Sequence, residues 1–332
     1  MLDNSRFEEC SWLRWAAEDE NAASICILGI PFDGAVSLSK GAAKAPQTIR
    51  ELSIDLPDTT DEWIPIMDGL LYDAGDMHPD LQWDRYFASV EKEAYRLMST
   101  GNFCLFIGGD HSVTIPLHKA FRAYQMEAHE KEAQRFVDRI TDQKPVGVEE
   151  PKLGVIHFDA HFDLWDEYDG HKWSHACTEA RALENGVVRP EDLFFIGVRV
   201  ADLDELELIR RNPGITAITA MEVHEKGIEY VLQRLEQHFA GYDAIYFTID
   251  IDGLDPAFAP GTGTPVMGGV TAIQLIKLFR WVITNLPVKA MDIVEVAPDL
   301  DVNNVTSWAA LKIIHELFTA FSITDRGALI RF

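Results

Sequence analysis

Three short runs of the sequence bring histidine and aspartate residues together. The run DAHFD at 159–163 alternates carboxylate and imidazole side chains, and the run DID at 250–252 alternates two carboxylates. In extended backbone, alternate side chains point to the same side of the chain. A third run, GGDHS at 108–112, places an imidazole after two glycines, which let other backbone approach closely. Carboxylate and imidazole groups gathered in this way are ligands for divalent metal ions.

The candidate ligands from these runs are two imidazoles and four carboxylates: His111, Asp159, His161, Asp163, Asp250 and Asp252. Four clustered carboxylates repel one another unless positive charge lies between them. Two divalent cations would balance their four negative charges. Because the set offers oxygen and nitrogen but no thiolate, it suits Mn²⁺, with Ni²⁺, Co²⁺, Fe²⁺ or Zn²⁺ as alternatives.

Each of these runs follows a predicted strand. The strands Phe103–Ile107, Leu153–Phe158 and Ala244–Ile249 precede GGDHS, DAHFD and DID in turn, and Glu295 lies near the end of a fourth, Lys289–Val296. In open α/β sheets, ligands bind at the carboxyl ends of the strands. We therefore expect the candidate ligands and Glu295 to meet at one edge of a sheet.

Apolar, β-rich runs alternate with helical stretches along the chain, which predicts an α/β fold: a three-layer α/β/α sandwich with a mostly parallel sheet of about eight strands. The runs are continuously apolar, as expected where both faces of a sheet are covered. The remaining predicted strands are Ser24–Ile30, Gly69–Tyr72, Leu193–Val198 and Ile215–Ile218. The predicted helices are Trp83–Thr100, Val113–Arg139, Glu179–Asn185, Asp202–Arg211, Val223–Phe239, Ala272–Thr284 and Thr306–Phe321.

The length and composition are those of an ordinary globular protein. Of the 332 residues, 47% are hydrophobic and 25% are charged, and we expect a single domain over 1–332. A highly charged stretch near 124–152 is expected to be a surface excursion from that domain.

The charge of the chain excludes several kinds of partner. A formal net charge of −25 repels phosphate backbones and anionic lipids, so we expect neither nucleic acid nor a membrane as a partner. The acidic start of the sequence lacks the features of a signal peptide, and no apolar run approaches the roughly 18 residues of a spanning helix. With four cysteines and no CxxC pair, the sequence indicates a cytoplasmic protein.

The three runs, with their surroundings, resemble the signatures of a known family. GGDHS at 108–112, DAHFD at 159–163 and DIDGLDPAFAPGTGTP at 250–265 are similar to the three motifs of the ureohydrolases, the arginase and agmatinase superfamily. The resemblance extends from about Ile25 to about Phe321, and APGTGTP at 259–265 is closer to the agmatinase branch. Further matching stretches are GIPFD at 29–33, DAGD at 73–76, GVRV at 197–200 and MDIVEVAP at 291–298.

The resemblance implies an arginase-type fold with a centre of two Mn²⁺ ions. One ion would be held by His111, Asp159, Asp163 and Asp250. The other would be held by His161, Asp159, Asp250 and Asp252, with Asp159 and Asp250 bridging. Members of this family commonly form trimers or hexamers, so we expect a homo-trimer or homo-hexamer.

The resemblance also implies hydrolysis of a guanidino compound to urea and an amine. Paired metal ions lower the pKa of water and so supply the nucleophile. Asp163 would protonate the leaving amine, His175 would relay protons, and Glu295 would pair with the guanidinium N–H groups. The sequence departs from the family's pattern after His175, where Ala176 and Cys177 precede Thr178.

The loop after DAHFD bears on the substrate. Trp165 stands where arginases place a small polar residue that reads the amino-acid end of arginine, and Asp202 aligns with an amino-group reader. The acids at 166–169 favour a cationic tail over a carboxylate. We therefore expect agmatine to be a better substrate than L-arginine. If Trp165, Tyr168 and Trp173 instead wall off the pocket, guanidine or a small substituted guanidine, including guanidinobutyrate or biguanide-type compounds, would be preferred.

Two further functions are compatible with the sequence. A deacetylase-like amidohydrolase would share the fold but keep one metal ion, and a silent subunit of a hetero-oligomeric ureohydrolase would release no urea. A separate expectation concerns His157, which lies inside a predicted strand. We interpret it as a hydrogen-bonded core histidine rather than a ligand.

Overall fold

Eight strands, all parallel to their neighbours, form one sheet in the computed structural model, which describes residues 11–138 and 149–325. The strands are β1 Ile25–Gly29, β2 Leu71–Asp76, β3 Phe103–Ile107, β4 Leu153–Phe158, β5 Leu193–Val198, β6 Thr216–Thr219, β7 Ala244–Asp250 and β8 Val288–Val294. Their order across the sheet is β2-β1-β3-β8-β7-β4-β5-β6.

Helices cover both faces of the sheet, which confirms the predicted three-layer α/β/α sandwich. The helices are α1 Ala45–Leu52, α2 Trp83–Met98, α3 Thr114–Asp138, α4 Thr178–Glu184, α5 Leu203–Arg211, α6 Ala220–Lys226, α7 Ile228–His238, α8 Ala272–Asn285 and α9 Val305–Asp325. The sheet separates two buried hydrophobic clusters: Ile25 and Ile27 of β1 belong to one, and Cys26 and Leu28 belong to the other. Alternate side chains of a strand point to opposite faces, so a continuous apolar run serves both cores.

The strand order explains why the candidate site lies at the middle of the sheet. Strands β3, β8, β7 and β4 are consecutive neighbours, and the segments that follow them carry His111, Glu295, Asp252 and Asp159. In a parallel sheet all of these segments emerge at the same edge. We call this the carboxyl edge of the sheet.

Three elements differ from the sequence-based prediction, and the first is α1 Ala45–Leu52, which was not predicted from the sequence. The single helix predicted over Val223–Phe239 is two helices, because Gly227 adopts a φ of 80° that breaks the helical path. The strand predicted at Gly69–Tyr72 extends instead over Leu71–Asp76, so the polar run DAGD is part of it. That strand lies at the edge of the sheet and is half-buried, which accommodates polar residues.

The predicted charged excursion near 124–152 is described only in part. Residues up to Asp138 continue α3, and positions 139–148 lie outside the described residues. The single domain over 1–332 stays a prediction. Within the described ranges, no helix combines the length and the apolar character that crossing a bilayer requires.

Candidate metal centre and active site

Short turns fix the aspartates at the carboxyl edge. The Asp159 side chain accepts a hydrogen bond from the backbone N–H of His161 at 2.6 Å, and Asp250 accepts one from Asp252 at 2.8 Å. Asp163 has a φ of 51°, a left-handed conformation that is uncommon for a residue other than glycine. Backbone strain of this kind is concentrated at functional sites.

The first group of candidate ligands surrounds one nitrogen of His111. Its Nδ1 atom lies 3.2 Å from Asp159 Oδ2, 3.0 Å from Asp163 Oδ2 and 3.3 Å from Asp250 Oδ2. This buried nitrogen makes no hydrogen bond within the part of the chain that the structure describes. Three carboxylate oxygens converging on an unbonded imidazole nitrogen form a set of donors that fits a divalent cation.

The second group lies next to the first and shares Asp159 with it. His161 Nδ1 lies 3.3 Å from Asp159 Oδ1 and 3.3 Å from Asp252 Oδ2. Asp159 thus directs one carboxylate oxygen to each group. Asp250 forms its ion-pair contact with His111 of the first group, and the described residues show no such contact between Asp250 and His161. Ligand atoms of Asp159, His161 and Asp252 all lie within 4.8 Å of one another, close enough for a metal ion.

The electrostatics of the cluster also favour bound cations. Burial, together with the negative charges of Asp252 and Asp159, raises the pKa of Asp250 well above its usual range. Burial and the charge of Asp159 raise the pKa of Asp252 as well. These carboxylates therefore resist ionisation together unless positive charge is placed among them. Divalent metal ions would supply that charge.

His157 is a hydrogen-bonded core histidine, as interpreted, and it also touches the cluster. Its Nδ1 atom lies 2.9 Å from Glu179 Oε1, and its Nε2 atom lies 2.9 Å from Asp159 Oδ2. All three side chains are buried. His157 and Glu179 therefore orient Asp159 from below the site. The sequence carried one signal for this role, because His157 and Asp159 are two residues apart in extended backbone.

Glu295 and His175 form a pair beside the first group. Glu295 Oε1 accepts a hydrogen bond from the backbone N–H of His111 at 2.9 Å and lies 3.0 Å from His175 Nδ1. Burial lowers the pKa of His175, but the hydrogen bond and charge of Glu295 outweigh it and raise that pKa to about 9. Glu295 has a φ of 61° and is almost fully buried, so the surrounding structure holds it in a strained conformation.

Ser37 is a contact of His175 that sequence reasoning missed. His175 Nε2 lies 3.1 Å from the Ser37 backbone nitrogen, which donates to it when the imidazole is neutral, and 2.9 Å from the Ser37 hydroxyl oxygen. The altered residues after His175 do not remove it from the site. His175–Cys177 forms a short 3₁₀ turn, and Thr178 Oγ1 donates to the backbone oxygen of His175 at 3.0 Å.

A cavity of about 210 Å³ opens above these groups. Its lining residues are Ser37, His161, Asp163, Trp165, Tyr168, His175, Ala176, Val200, Asp202, Glu205, Asp250 and Thr264. The lining includes four of the predicted catalytic and substrate-binding residues, namely Asp163, His175, Trp165 and Asp202, whereas Glu295 lies outside it. The lining contains four carboxylates and neither lysine nor arginine, among the residues that the structure describes.

The aromatic wall of the cavity is smaller than the one considered from the sequence. Trp165 and Tyr168 line it, with their ring centroids 5.6 Å apart in a T-shaped arrangement. Trp173, the third aromatic residue of the alternative in which the pocket is walled off, does not line it. Its ring stacks on Phe87 of α2 with the ring centroids 4.8 Å apart, and it packs against the hydrophobic core there.

The acids of the loop after DAHFD also lie elsewhere than expected. Asp166 pairs with Arg181 Nη2 at 2.6 Å and with Lys172 at 3.3 Å, and none of the acids at 166–169 lines the cavity. The carboxylates at the cavity wall come from Asp202 and Glu205 instead. Glu205 accepts backbone N–H bonds from Leu164 and from Asp202, each at 3.0 Å, so both of its oxygens are occupied. Asp202 is the more available acid for a ligand.

Comparison with known families matches residues 23–319 to the arginase family. That match spans most of the chain. The chain belongs to the arginase family.

Known members of the arginase family resemble the chain over most of their length. An agmatinase of Neisseria meningitidis serogroup C is 33% identical over 309 residues, which is 90% of this chain and 87% of that protein. Among solved structures, a hypothetical agmatinase from Burkholderia thailandensis has a TM-score of 0.76 at 28% identity, over 94% of this chain and 90% of that chain. The agmatine ureohydrolase of Thermoplasma volcanium has a TM-score of 0.77 at 25% identity, over 94% and 95%.

These comparisons confirm the resemblance to the ureohydrolases and to their agmatinase branch. The chain is therefore a ureohydrolase enzyme with the arginase-type fold. Enzymes of the arginase family depend on a binuclear metal centre, and the chain places a histidine–aspartate cluster able to bind metal at the carboxyl edge of its sheet.

Proposed function

We propose that this enzyme hydrolyses a small guanidino compound with a cationic tail to urea and an amine, and that agmatine is a better substrate than L-arginine. The observation that carries this proposal is the charge of the cavity wall. Two of its four carboxylates, Asp202 and Glu205, are not among the proposed metal ligands, and they would repel the α-carboxylate of arginine; the lining offers neither lysine nor arginine, within the described residues, to compensate. A terminal ammonium group meets no such repulsion.

Two Mn²⁺ ions are the proposed cofactors, with Ni²⁺ as the alternative. One is held by His111, Asp159, Asp163 and Asp250. The other is held by His161, Asp159, Asp250 and Asp252. The unbonded Nδ1 of His111 and the raised pKa of Asp250 support this assignment. When bound, such ions lower the pKa of water so that it is a nucleophile at neutral pH.

The residues around the cations position the substrate and move protons. The Glu295 carboxylate would pair with guanidinium N–H groups through Oε2, since His111 and His175 both contact its other oxygen, Oε1. Asp163 lines the cavity and gives a proton to the leaving amine. His175 lines the cavity too, and it exchanges protons between that space and solvent. As a family property, a homo-trimer or homo-hexamer is the proposed assembly.

At the mouth of the cavity, Asp202 and the rings of Trp165 and Tyr168 receive the tail of the substrate. Asp202 is exposed and lines the cavity, so it can pair with an ammonium group. An aromatic face also attracts a cation that lies within about 6 Å of its centre. If the rings of Trp165 and Tyr168 instead block the space for a substrate tail, the cavity would admit only guanidine or a small substituted guanidine.

A substrate panel tests this proposal. Urea release would be measured for agmatine, L-arginine, guanidinobutyrate and guanidine, with enzyme loaded separately with Mn²⁺ and Ni²⁺. We expect kcat/KM for agmatine to exceed that for L-arginine by about a hundredfold, because like-charge juxtaposition costs several kcal/mol. A panel led by L-arginine would overturn the proposal, and one led by guanidine would favour the closed cavity. No urea from any compound would indicate a silent subunit.

Replacing Asp202 tests the tail contact alone. Asp202→Asn should raise KM for agmatine about tenfold, since a hydrogen bond to a charged group contributes about 1.5–3 kcal/mol. Turnover at saturation and the kinetics of guanidine, which has no tail, should change little. Asp204→Asn is the matched control, because it removes the same charge from an exposed residue of α5 that does not line the cavity. An unchanged KM for agmatine in Asp202→Asn would assign the tail to another contact.

A further inference from the structure

A chain of buried hydrogen bonds runs from His111 into the core, on the side away from the cavity. His111 Nε2 lies 2.9 Å from Thr248 Oγ1, and Thr248 Oγ1 donates to Asp292 Oδ1 at 2.6 Å. The sheet sets this contact, because Thr248 of β7 and Asp292 of β8 are direct partners in the strand register. All three side chains are at most 1% exposed.

Asp292 fixes the direction of these hydrogen bonds. Besides the Thr248 hydroxyl, it accepts from the Tyr246 hydroxyl at 2.9 Å and from Thr114 Oγ1 at 2.7 Å. Each of these three hydroxyls donates its single hydrogen to an oxygen of Asp292. The Thr248 oxygen can therefore only accept a hydrogen bond from His111 Nε2.

The opposite direction is unfavourable. If Thr248 gave its hydrogen to His111 Nε2, its lone pairs would face an oxygen of Asp292 at 2.6 Å without a hydrogen between them. Leaving a buried acceptor unsatisfied costs about 1–3 kcal/mol, and more for a charged group. His111 must therefore donate from Nε2, and in the neutral imidazole the lone pair is then on Nδ1.

We propose that Asp292 and Thr248 are positioning residues that hold His111 in its Nε2–H form and thereby set the affinity of the first metal site. Nδ1, the nitrogen facing Asp159, Asp163 and Asp250, then carries a lone pair for the cation instead of a hydrogen. Outer hydrogen bonds of this kind fix which nitrogen of a histidine binds a metal. This inference rests on the proposed metal centre and adds a role for Asp292 of the run MDIVEVAP.

Thr248→Val tests the proposal because valine has nearly the shape of threonine but no hydroxyl. Mn²⁺ affinity would be measured by competition with a chromophoric chelator, and metal content by elemental analysis after dialysis. We expect affinity at one site to fall about 10–100-fold, which is typical for loss of an outer hydrogen bond to a metal ligand. Thr248→Ser keeps the hydroxyl, so this variant should bind Mn²⁺ with the wild-type affinity.

Tyr246→Phe is the matched control. It also removes one buried hydroxyl from Asp292, but on the oxygen that does not face Thr248. The unfolding temperatures of Thr248→Val and Tyr246→Phe measure how much folding stability each variant loses apart from any effect on metal binding. Only Thr248→Val should weaken Mn²⁺ binding.

Asp292→Asn is a second variant with a sharper signature. Tyr246 and Thr114 both donate to Oδ2, so the amide oxygen of asparagine should turn towards them and its NH₂ group towards Thr248. Thr248 would then accept from the amide and donate to His111, which moves the histidine hydrogen to Nδ1. Mn²⁺ affinity should fall as in Thr248→Val.

Wild-type Mn²⁺ affinity in both Thr248→Val and Asp292→Asn, with wild-type enzyme binding two ions, would overturn this inference alone. If wild-type enzyme bound no metal, the proposed metal centre itself would be wrong.

Discussion

An Asp250→Asn variant is expected to lose bound metal and urea formation together. Asp250 is proposed to bridge both ions, and an amide oxygen is a weaker ligand than a carboxylate oxygen. Without the cations no water is activated, so kcat should fall by at least about a thousandfold, since bound metal lowers the pKa of water from 15.7 towards 7. Elemental analysis and a urea-release assay on the same preparation would measure both losses.

Thermal unfolding gives this variant an independent readout. Ligands that bind only the folded state stabilise it, so Mn²⁺ should raise the unfolding temperature of wild-type enzyme but not that of Asp250→Asn. Without metal, the variant should be at least as stable as wild type. Burial and the charges of Asp252 and Asp159 raise the pKa of Asp250, so asparagine removes an unfavourable buried charge.

Asp243→Asn is the control for this experiment. Asp243 is exposed and directly precedes β7, at the opposite end of the strand from Asp250. It should keep wild-type metal content and activity. An Asp250→Asn enzyme that retained two ions per chain and full turnover would remove Asp250 from the proposed centre.

The grouping of the candidate ligands could be predicted because these residues follow runs that are recognisable as buried strands. Each of Asp159, His111 and Asp250 directly follows or closely follows an apolar run, and such runs are recognisable as buried strands from composition alone. Parallel strands all end at one edge, so the residues after them must be neighbours even before the strand order is known.

The residues behind the ligands were not predictable in the same way. Thr248 and Asp292 lie inside their strands, and their contact depends on β7 and β8 being adjacent and in register. Strand order is a property of the whole fold, which local pattern does not specify. Glu179 shows the same limit, since it reaches His157 from a helix that follows a long loop.

The directions of the side chains in the loop after DAHFD could not be predicted from the sequence either. The types of Trp173 and Asp166 suggested roles at the cavity, but their contacts lie elsewhere. Trp173 stacks on Phe87 at the edge of the core, and Asp166 forms ion pairs with Arg181 and Lys172 at the surface. A loop has no fixed side-chain period, so residue type alone does not determine which way each side chain points.

A His175→Asn variant is expected to keep both metal ions and to lose most of its turnover. Asparagine can still donate a hydrogen bond to Glu295 from its amide nitrogen, which takes the place of Nδ1, but it cannot exchange a proton. Because a positioned acid or base contributes about 10²–10⁴-fold to a rate, kcat should fall by that range. Metal content should stay at the wild-type level, since His175 contacts Glu295 and Ser37 rather than the candidate ligands.

The pH profile separates proton relay from a structural role of His175. Glu295 raises the pKa of His175, so the imidazole stays protonated to a higher pH than an ordinary histidine does. The proton that the leaving amine needs is available below that pKa, and wild-type kcat should decline on the alkaline side of the profile as it is lost. His175→Asn should lack this decline, and added imidazole should restore part of its rate. His171→Asn, in the same loop but outside the cavity lining, should behave as wild type. An unchanged kcat across the pH range in His175→Asn would exclude His175 from the relay, and the proton would then have to reach the cavity by way of Asp163 alone.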